Sequence, residues 1–148
     1  MTILNADDSY RLRRSFLSAF VADNNPMPET LRGNGTEVSG NRVKYFANRL
    51  LWECIDIEGW RKCTHFQARS LLENLPGEVF VLTDAINNKK VSADSPIFEA
   101  RPDEVIEFLS SPGFWNFYVF DSTISWCIIF TDECEIAYPE GICFTNIC

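Results

Sequence analysis

The stretch Phe114-Trp115-Asn116-Phe117-Tyr118-Val119-Phe120-Asp121-Ser122-Thr123-Ile124-Ser125-Trp126-Cys127-Ile128-Ile129-Phe130-Thr131-Asp132-Glu133-Cys134-Glu135-Ile136-Ala137-Tyr138 decides how this chain is read. It is dense in aromatic and β-branched residues, which suit a pleated surface, and Asp121-Ser122-Thr123 interrupts it with turn chemistry. The spacing predicts strands at Phe114–Phe120, Ile124–Thr131 and Cys134–Tyr138, joined closely enough to form an antiparallel meander. Successive side chains of a strand point to opposite faces. Phe117 and Val119 can then pack on helices, while Tyr118, Phe120 and Trp126, beside Asp121, fall on a second face. Aromatics next to carboxylates have the composition of a binding hot spot with a charged rim. The competing expectation is that loop 24–41 or a helix covers that face.

Working upstream, Ser111-Pro112-Gly113 stops a short helix predicted from Pro102 to Ser110, where Pro102 suits the first position and Asp103 and Glu104 complement the helix dipole. Strands are predicted at Glu78–Thr83 and Ser95–Ala100. Before Gly77 the apolar period is helical. Leu12, Phe16, Leu17, Phe20 and Val21 form one stripe over residues 9–22, and Val43, Phe46, Ala47, Leu50, Leu51 and Cys54 form another over residues 42–55. Thr64 is placed as the N-cap of a third helix that buries Ala68, Leu71, Leu72 and Leu75. Residues 24–41 collect Asn, Pro and Gly and read as a loop. The expected class is α+β: a single domain, 1–148, with N-terminal helices packed on a C-terminal, mostly antiparallel sheet and one inserted short helix.

With 148 residues, 46% of them hydrophobic and 23% charged, the chain has enough apolar material for one core. Neither a secretion signal nor an apolar run of membrane-spanning length is expected from the sequence, so a cytoplasmic location follows. The six cysteines are accordingly read as reduced thiols. Net charge is −8, carried unevenly: residues 1–74 hold 10 basic and 9 acidic side chains, and residues 75–148 hold 3 and 12. A field of that sign repels nucleic acid, whose binding needs Lys and Arg to neutralise phosphates, and steers a basic protein instead. An acidic surface also simply favours solubility.

Candidate chemistry is sparse. Cys63 and His65, the only histidine, are two residues apart and do not form a nucleophile pair without help from the fold. A zinc site from Cys54, Cys63, His65 and a C-terminal cysteine is possible by count but matches no Cys-x2-Cys knuckle. Asp132, Glu133 and Glu135 crowd one turn, where adjacent carboxylates splay outward rather than converge on a metal or substrate. They read either as a solvated turn or as an acidic rim for Lys or Arg of a partner. Glu99, Asp103, Glu104 and Glu107 offer a second such patch. No catalytic, cofactor-binding or metal-binding residue is assigned. The expected partner-binding set is Glu99, Asp103, Glu104, Glu107, Tyr118, Phe120, Asp121, Trp126, Asp132, Glu133 and Glu135.

The segment from Phe117 to Ile136 resembles a hairpin near the C-terminus of small bacterial toxin-immunity proteins of the contact-dependent and polymorphic-toxin type. In these an aromatic strand ending in Asp, a Ser-x-Trp strand and a Thr-His-Glu-like end recur; here the last reads Thr131-Asp132-Glu133. The resemblance implies a cytosolic protein that binds and neutralises a cognate toxin by covering its active site or blocking its assembly. With the acidic charge and no catalytic constellation in the sequence, the expectation is a non-enzyme without cofactors, a monomer or weak dimer, whose toxin partner is basic. Other classes compatible with the residues are an acidic phage or host protein mimicking nucleic acid, and a small enzyme using Cys63 and His65.

Overall fold

The structure, a computed structural model, describes residues 1–21, 51–86, 89–90, 96–108 and 114–147. In chain order the elements are β1 (Thr2–Ile3), α1 (Ala6–Phe20), a 3-10 turn (Leu51–Cys54), β2 (Arg61–Thr64), α2 (His65–Glu73), β3 (Val79–Ile86), β4 (Lys89–Lys90), β5 (Phe98–Ala100), α3 (Pro102–Phe108), β6 (Phe114–Phe120), β7 (Ile128–Phe130) and β8 (Ile142–Thr145). The protein is α+β. Its strands form one sheet in the order β1-β5-β3-β6-β7-β8-β2, with β4 paired to β3, and every described pairing is antiparallel.

The alternation of side chains along β6 explains the layering. Phe117 and Val119 join Val79, Val81, Ile128, Phe130, Cys63 and Cys143 on one face, against Ala68 and Leu72 of α2 and Val105 of α3. Tyr118 and Phe120 point the other way, with Leu82 and Ile129, against Phe16 and Leu17 of α1 and the segment Leu51, Cys54 and Ile55. Both faces of the sheet are therefore covered, which is why its strands read as continuous apolar runs instead of alternating with polar residues.

The helices start where their caps dictate. The Asn5 side chain accepts the Asp8 amide at 2.8 Å at the head of α1. At α2 a reciprocal capping box forms: Thr64 Oγ1 accepts the Gln67 amide at 3.1 Å, and Gln67 Oε1 accepts the Thr64 amide at 2.9 Å. On the face that carries Tyr118 and Phe120, Ser9 Oγ accepts the Ile97 amide at 3.0 Å and ties α1 to the residue before β5.

Several expectations are corrected. Cys134–Tyr138 is not a strand: Glu135 and Tyr138 pair with each other as a tight turn. The third strand of the meander is instead Ile142–Thr145, and the second is confined to Ile128–Phe130 because residues Asp121–Cys127 are taken up by a hydrogen-bonded loop. In that loop Asp121 Oδ1 accepts the Thr123 amide at 3.0 Å, and the Cys127 amide donates to Asn146 Oδ1 at 2.8 Å. Of the helix expected over residues 42–55, residues 42–50 lie outside the described residues, as does loop 24–41, and Leu51–Cys54 is a 3-10 turn. The sheet also draws β1 and β2 from the N-terminal half. Tyr118 and Phe120, expected on an exposed face, are both 0% exposed because α1 covers that face. Among the described residues no helix is long and apolar enough to cross a membrane.

Candidate functional site

The segment Thr131–Gly141 leaves β7 and returns as β8, and its backbone is fixed in two storeys. Next to the sheet, the Thr131 amide and Thr131 Oγ1 donate to the Ile142 carbonyl at 3.0 and 2.8 Å, and the Ile142 amide donates to the Glu133 carbonyl at 2.8 Å. Further out, the Tyr138 amide donates to the Glu135 carbonyl at 2.9 Å and closes a reversal over Glu135-Ile136-Ala137-Tyr138. The Asp132 amide donates to Asn116 Oδ1 at 3.2 Å, which anchors the segment to β6. Asn116 has φ 46°, in a region that asparagine tolerates better than most residues.

This rigid base carries an unusual surface. Ile136 stands fully exposed at the tip, among the exposed carboxylates Asp132, Glu133, Glu135 and Glu140. Lys62 on β2 reaches into them, with Nζ 2.9 Å from Glu135 Oε2 and 4.8 Å from the centre of the Tyr138 ring. One lysine leaves the turn strongly acidic. The first turn of α2 abuts the same segment through His65, whose ring meets Phe130 edge-on at 5.5 Å, and the neighbouring Phe66 is 76% exposed. An apolar tip surrounded by carboxylates is the arrangement a Lys- or Arg-rich partner surface would meet favourably.

His65 is held rather than free. Its Nε2 is buried without a hydrogen bond of good geometry. A Cβ added at Gly141 would lie 2.5 Å from it and 2.6 Å from the Thr131 carbonyl oxygen, so glycine with φ +130° is what lets the segment close over the ring. Burial lowers the imidazole pKa, the Thr131 carbonyl and Glu140 pull it up, and Arg69 lowers it further; the net direction is down. His65 is therefore biased toward the neutral form.

Cys63 and Cys143 sit directly opposite each other on β2 and β8. The Cys143 thiol and Cys63 share a hydrogen bond that lowers Cys63, against burial and with help from Arg61, and raises Cys143. The partner of Cys63 is thus a second thiol and not His65. Cys54 lies in the opposite core layer, so the zinc set considered from the sequence is not assembled. Among the described residues no group of three or more His, Cys, Asp or Glu side chains could hold a metal ion.

The other expected partner-binding residues are dispersed. Glu99 lies on β5 near the far edge of the sheet, where a hydrogen bond with Glu78 raises its pKa. Asp103 pairs with Arg101 at 3.1 Å, and Glu104 accepts the Met1 amino group at 2.8 Å and the Arg101 amide at 2.9 Å. Glu107 is exposed on α3. These residues lie at the β1–β5 side of the sheet, whereas Asp132, Glu133 and Glu135 lie toward the β8–β2 side. Asp121 is half-buried. Burial pushes its carboxyl up, but hydrogen bonds from Thr123, Trp126 and the Thr123 and Ile124 amides outweigh that and hold it below its ordinary value. Trp126 is partly buried against the core layer that contains Phe117 and Val119, not the layer of Tyr118 and Phe120. Tyr118 and Phe120 are inside. The expected set thus falls into two groups, Asp103, Glu104 and Glu107 around Arg101, and Asp132, Glu133 and Glu135 on the β7–β8 connection, to which the structure adds Lys62, Phe66, Ile136, Tyr138 and Glu140. The signal for these additions was Pro139-Glu140-Gly141, a turn that separates Ile136 from the true strand at Ile142.

No protein-family model, no curated protein and no solved structure matches this chain. The functional reading therefore rests on the site.

Proposed function

We propose that this chain is an immunity protein of the bacterial toxin-neutralising type, acting in the cytoplasm without a cofactor, and that it captures a basic toxin domain through the turn Thr131–Gly141. The observation that carries the reading is Ile136, fully exposed on a hydrogen-bonded segment that also carries the four exposed carboxylates Asp132, Glu133, Glu135 and Glu140. An exposed apolar residue on a rigid support loses little conformational freedom on binding, and the surrounding negative charge accelerates encounter with a positively charged partner. The C-terminal half, with its 12 acidic and 3 basic residues, extends that field beyond the turn. The placement of Cys63 directly across from Cys143, buried under α2, favours this reading over one in which Cys63 serves a thiol–imidazole enzyme.

The test is to examine the gene neighbouring this chain's own and to co-express the chain with the basic toxin domain that the proposal expects there; a neighbour that encodes no toxin would count against the proposal. The expected result is restored growth and a co-purifying complex. Persistent growth arrest in the presence of folded, soluble chain would overturn the proposal.

A further inference from the structure

We propose that Cys63 and Cys143 form a reversible disulfide when the folded chain meets a low-molecular-weight disulfide such as oxidised glutathione, covalently closing the edge strand β2 onto β8. The inference rests on placement. The two residues are direct partners in the antiparallel register Cys63↔Cys143. Residues so paired have Cα atoms about 4.5 or 5.5 Å apart, according to which of the two kinds of site they occupy. Both distances fall within the ~4.4–6.8 Å that a disulfide spans without backbone movement. The side chains share one face of the sheet, under α2, and are 1% and 0% exposed. Both belong to the same core cluster, so closure draws together two side chains that already share one packed layer.

The chemistry runs by exchange. Cys63 is the attacking group, because it lies on the terminal strand β2, the one whose local opening exposes a thiol, with Arg61 two residues away on the same strand. Its sulfur attacks one sulfur of glutathione disulfide, whose S–S bond breaks; a mixed disulfide forms on Cys63 and one glutathione leaves as the thiol. Cys143 then loses its proton, attacks the Cys63 sulfur and expels the second glutathione as a thiol. Two protein thiols are oxidised by two electrons, one small disulfide is reduced to two thiols, and both protons end on the products.

Access comes from position in the sheet. β2 is terminal in the strand order and has only β8 as its described partner, so its local opening exposes Cys63 without unfolding the centre. The bond would link residues far apart in sequence, the arrangement in which a cross-link most restricts the unfolded chain. It would also fasten Lys62, which holds Glu135, to the strand that leads out of the acidic turn.

The experiment treats folded wild-type chain with glutathione disulfide, raised until the exposed Cys134 is modified, then blocks free thiols and maps the digested peptides. The expected result is a Cys63–Cys143 linked peptide that dithiothreitol removes, with a melting temperature that rises on oxidation and returns on reduction. In Cys143→Ser the reaction should stop at a mixed disulfide on Cys63, and in Cys63→Ser the linked peptide should be absent. Cys134 modified while Cys63 and Cys143 remain blockable thiols would overturn the proposal. So would a link that forms only after urea unfolding, or one that joins Cys63 to Cys134 instead.

Discussion

The hydroxyl of Tyr118, on the central strand β6, accepts a hydrogen bond from the backbone amide of Trp52 at 2.8 Å. This bond ties the 3-10 turn Leu51–Cys54 to the sheet and gives a fully buried phenol its partner. Tyr118→Phe keeps the ring packed edge-on to Phe16 at 6.0 Å but leaves the Trp52 amide without that acceptor. The expected loss is about 1–3 kcal/mol of stability, read as a lower urea midpoint at unchanged slope.

The two classes of phenylalanine should separate cleanly. Phe16 is 0% exposed, with its ring centre 4.7 Å from that of Phe120, and Phe16→Ala should destabilise by about 3–5 kcal/mol through lost burial and the cavity left behind. Phe66 stands in solvent, so Phe66→Ser should change stability by no more than about 0.5 kcal/mol. Equal effects in equilibrium denaturation would contradict the assigned layering.

Gly141→Ala tests the closure over His65. The added methyl group would collide with both His65 Nε2 and the Thr131 carbonyl in a backbone conformation that side chains rarely adopt. A loss of about 1–3 kcal/mol is expected, larger than for an alanine at the open position Gly59, which also has positive φ but nothing within 4 Å.

The hairpin centred on Asp121 was legible because its aromatic density and its turn residues agree. The helix start at Thr64 was legible because Thr64 and Gln67 form a reciprocal cap. What escaped has physical reasons. Arg61-Lys62-Cys63-Thr64 is an edge strand whose two exposed positions carry charge, so it has too little apolar periodicity to stand out. Ile142–Thr145 was missed because the period-two pattern of Cys134–Tyr138 competed for the same pairing with β7, and only Pro139-Glu140-Gly141 distinguishes them. Tyr118 and Phe120 looked like surface because alternation along a strand names two faces without saying that α1 covers the second. Asp132, Glu133 and Glu135 were legible as an acidic turn. The apolar tip was not, since the period-two pattern of Cys134–Tyr138 places Ile136 in a strand.

His65 predicts a pH dependence. Its folded pKa is lowered, chiefly by burial, from an unfolded value of about 6.5, so the unfolded chain binds the proton more readily. The stability is therefore fully present above about pH 6.5 and is lost as pH falls toward the lower folded value. Arg69 opposes protonation, while Glu140 and the Thr131 carbonyl reduce the loss. Because His65 is the only histidine, His65→Gln should flatten the stability profile between roughly pH 7 and pH 5 while leaving the carboxylate-linked fall at lower pH. Identical profiles for the two proteins in urea denaturation would show that the ring is not held as described.

The central claim is tested most directly by the association kinetics of wild type and of the triple variant Asp132→Lys, Glu133→Lys, Glu135→Lys with the toxin domain encoded beside this chain, at salt concentrations over which the Debye length falls from ~30 Å at 0.01 M to ~8 Å at 0.15 M. The three carboxylates are exposed, so the melting temperature should stay near that of wild type. Wild type should associate more slowly as salt rises. The variant should associate more slowly at low salt and lose most of that dependence, with faster dissociation added if the carboxylates are desolvated against Lys or Arg. A variant that binds as fast and as tightly as wild type, with the same salt dependence, would contradict the assignment of the acidic turn as the toxin-binding surface.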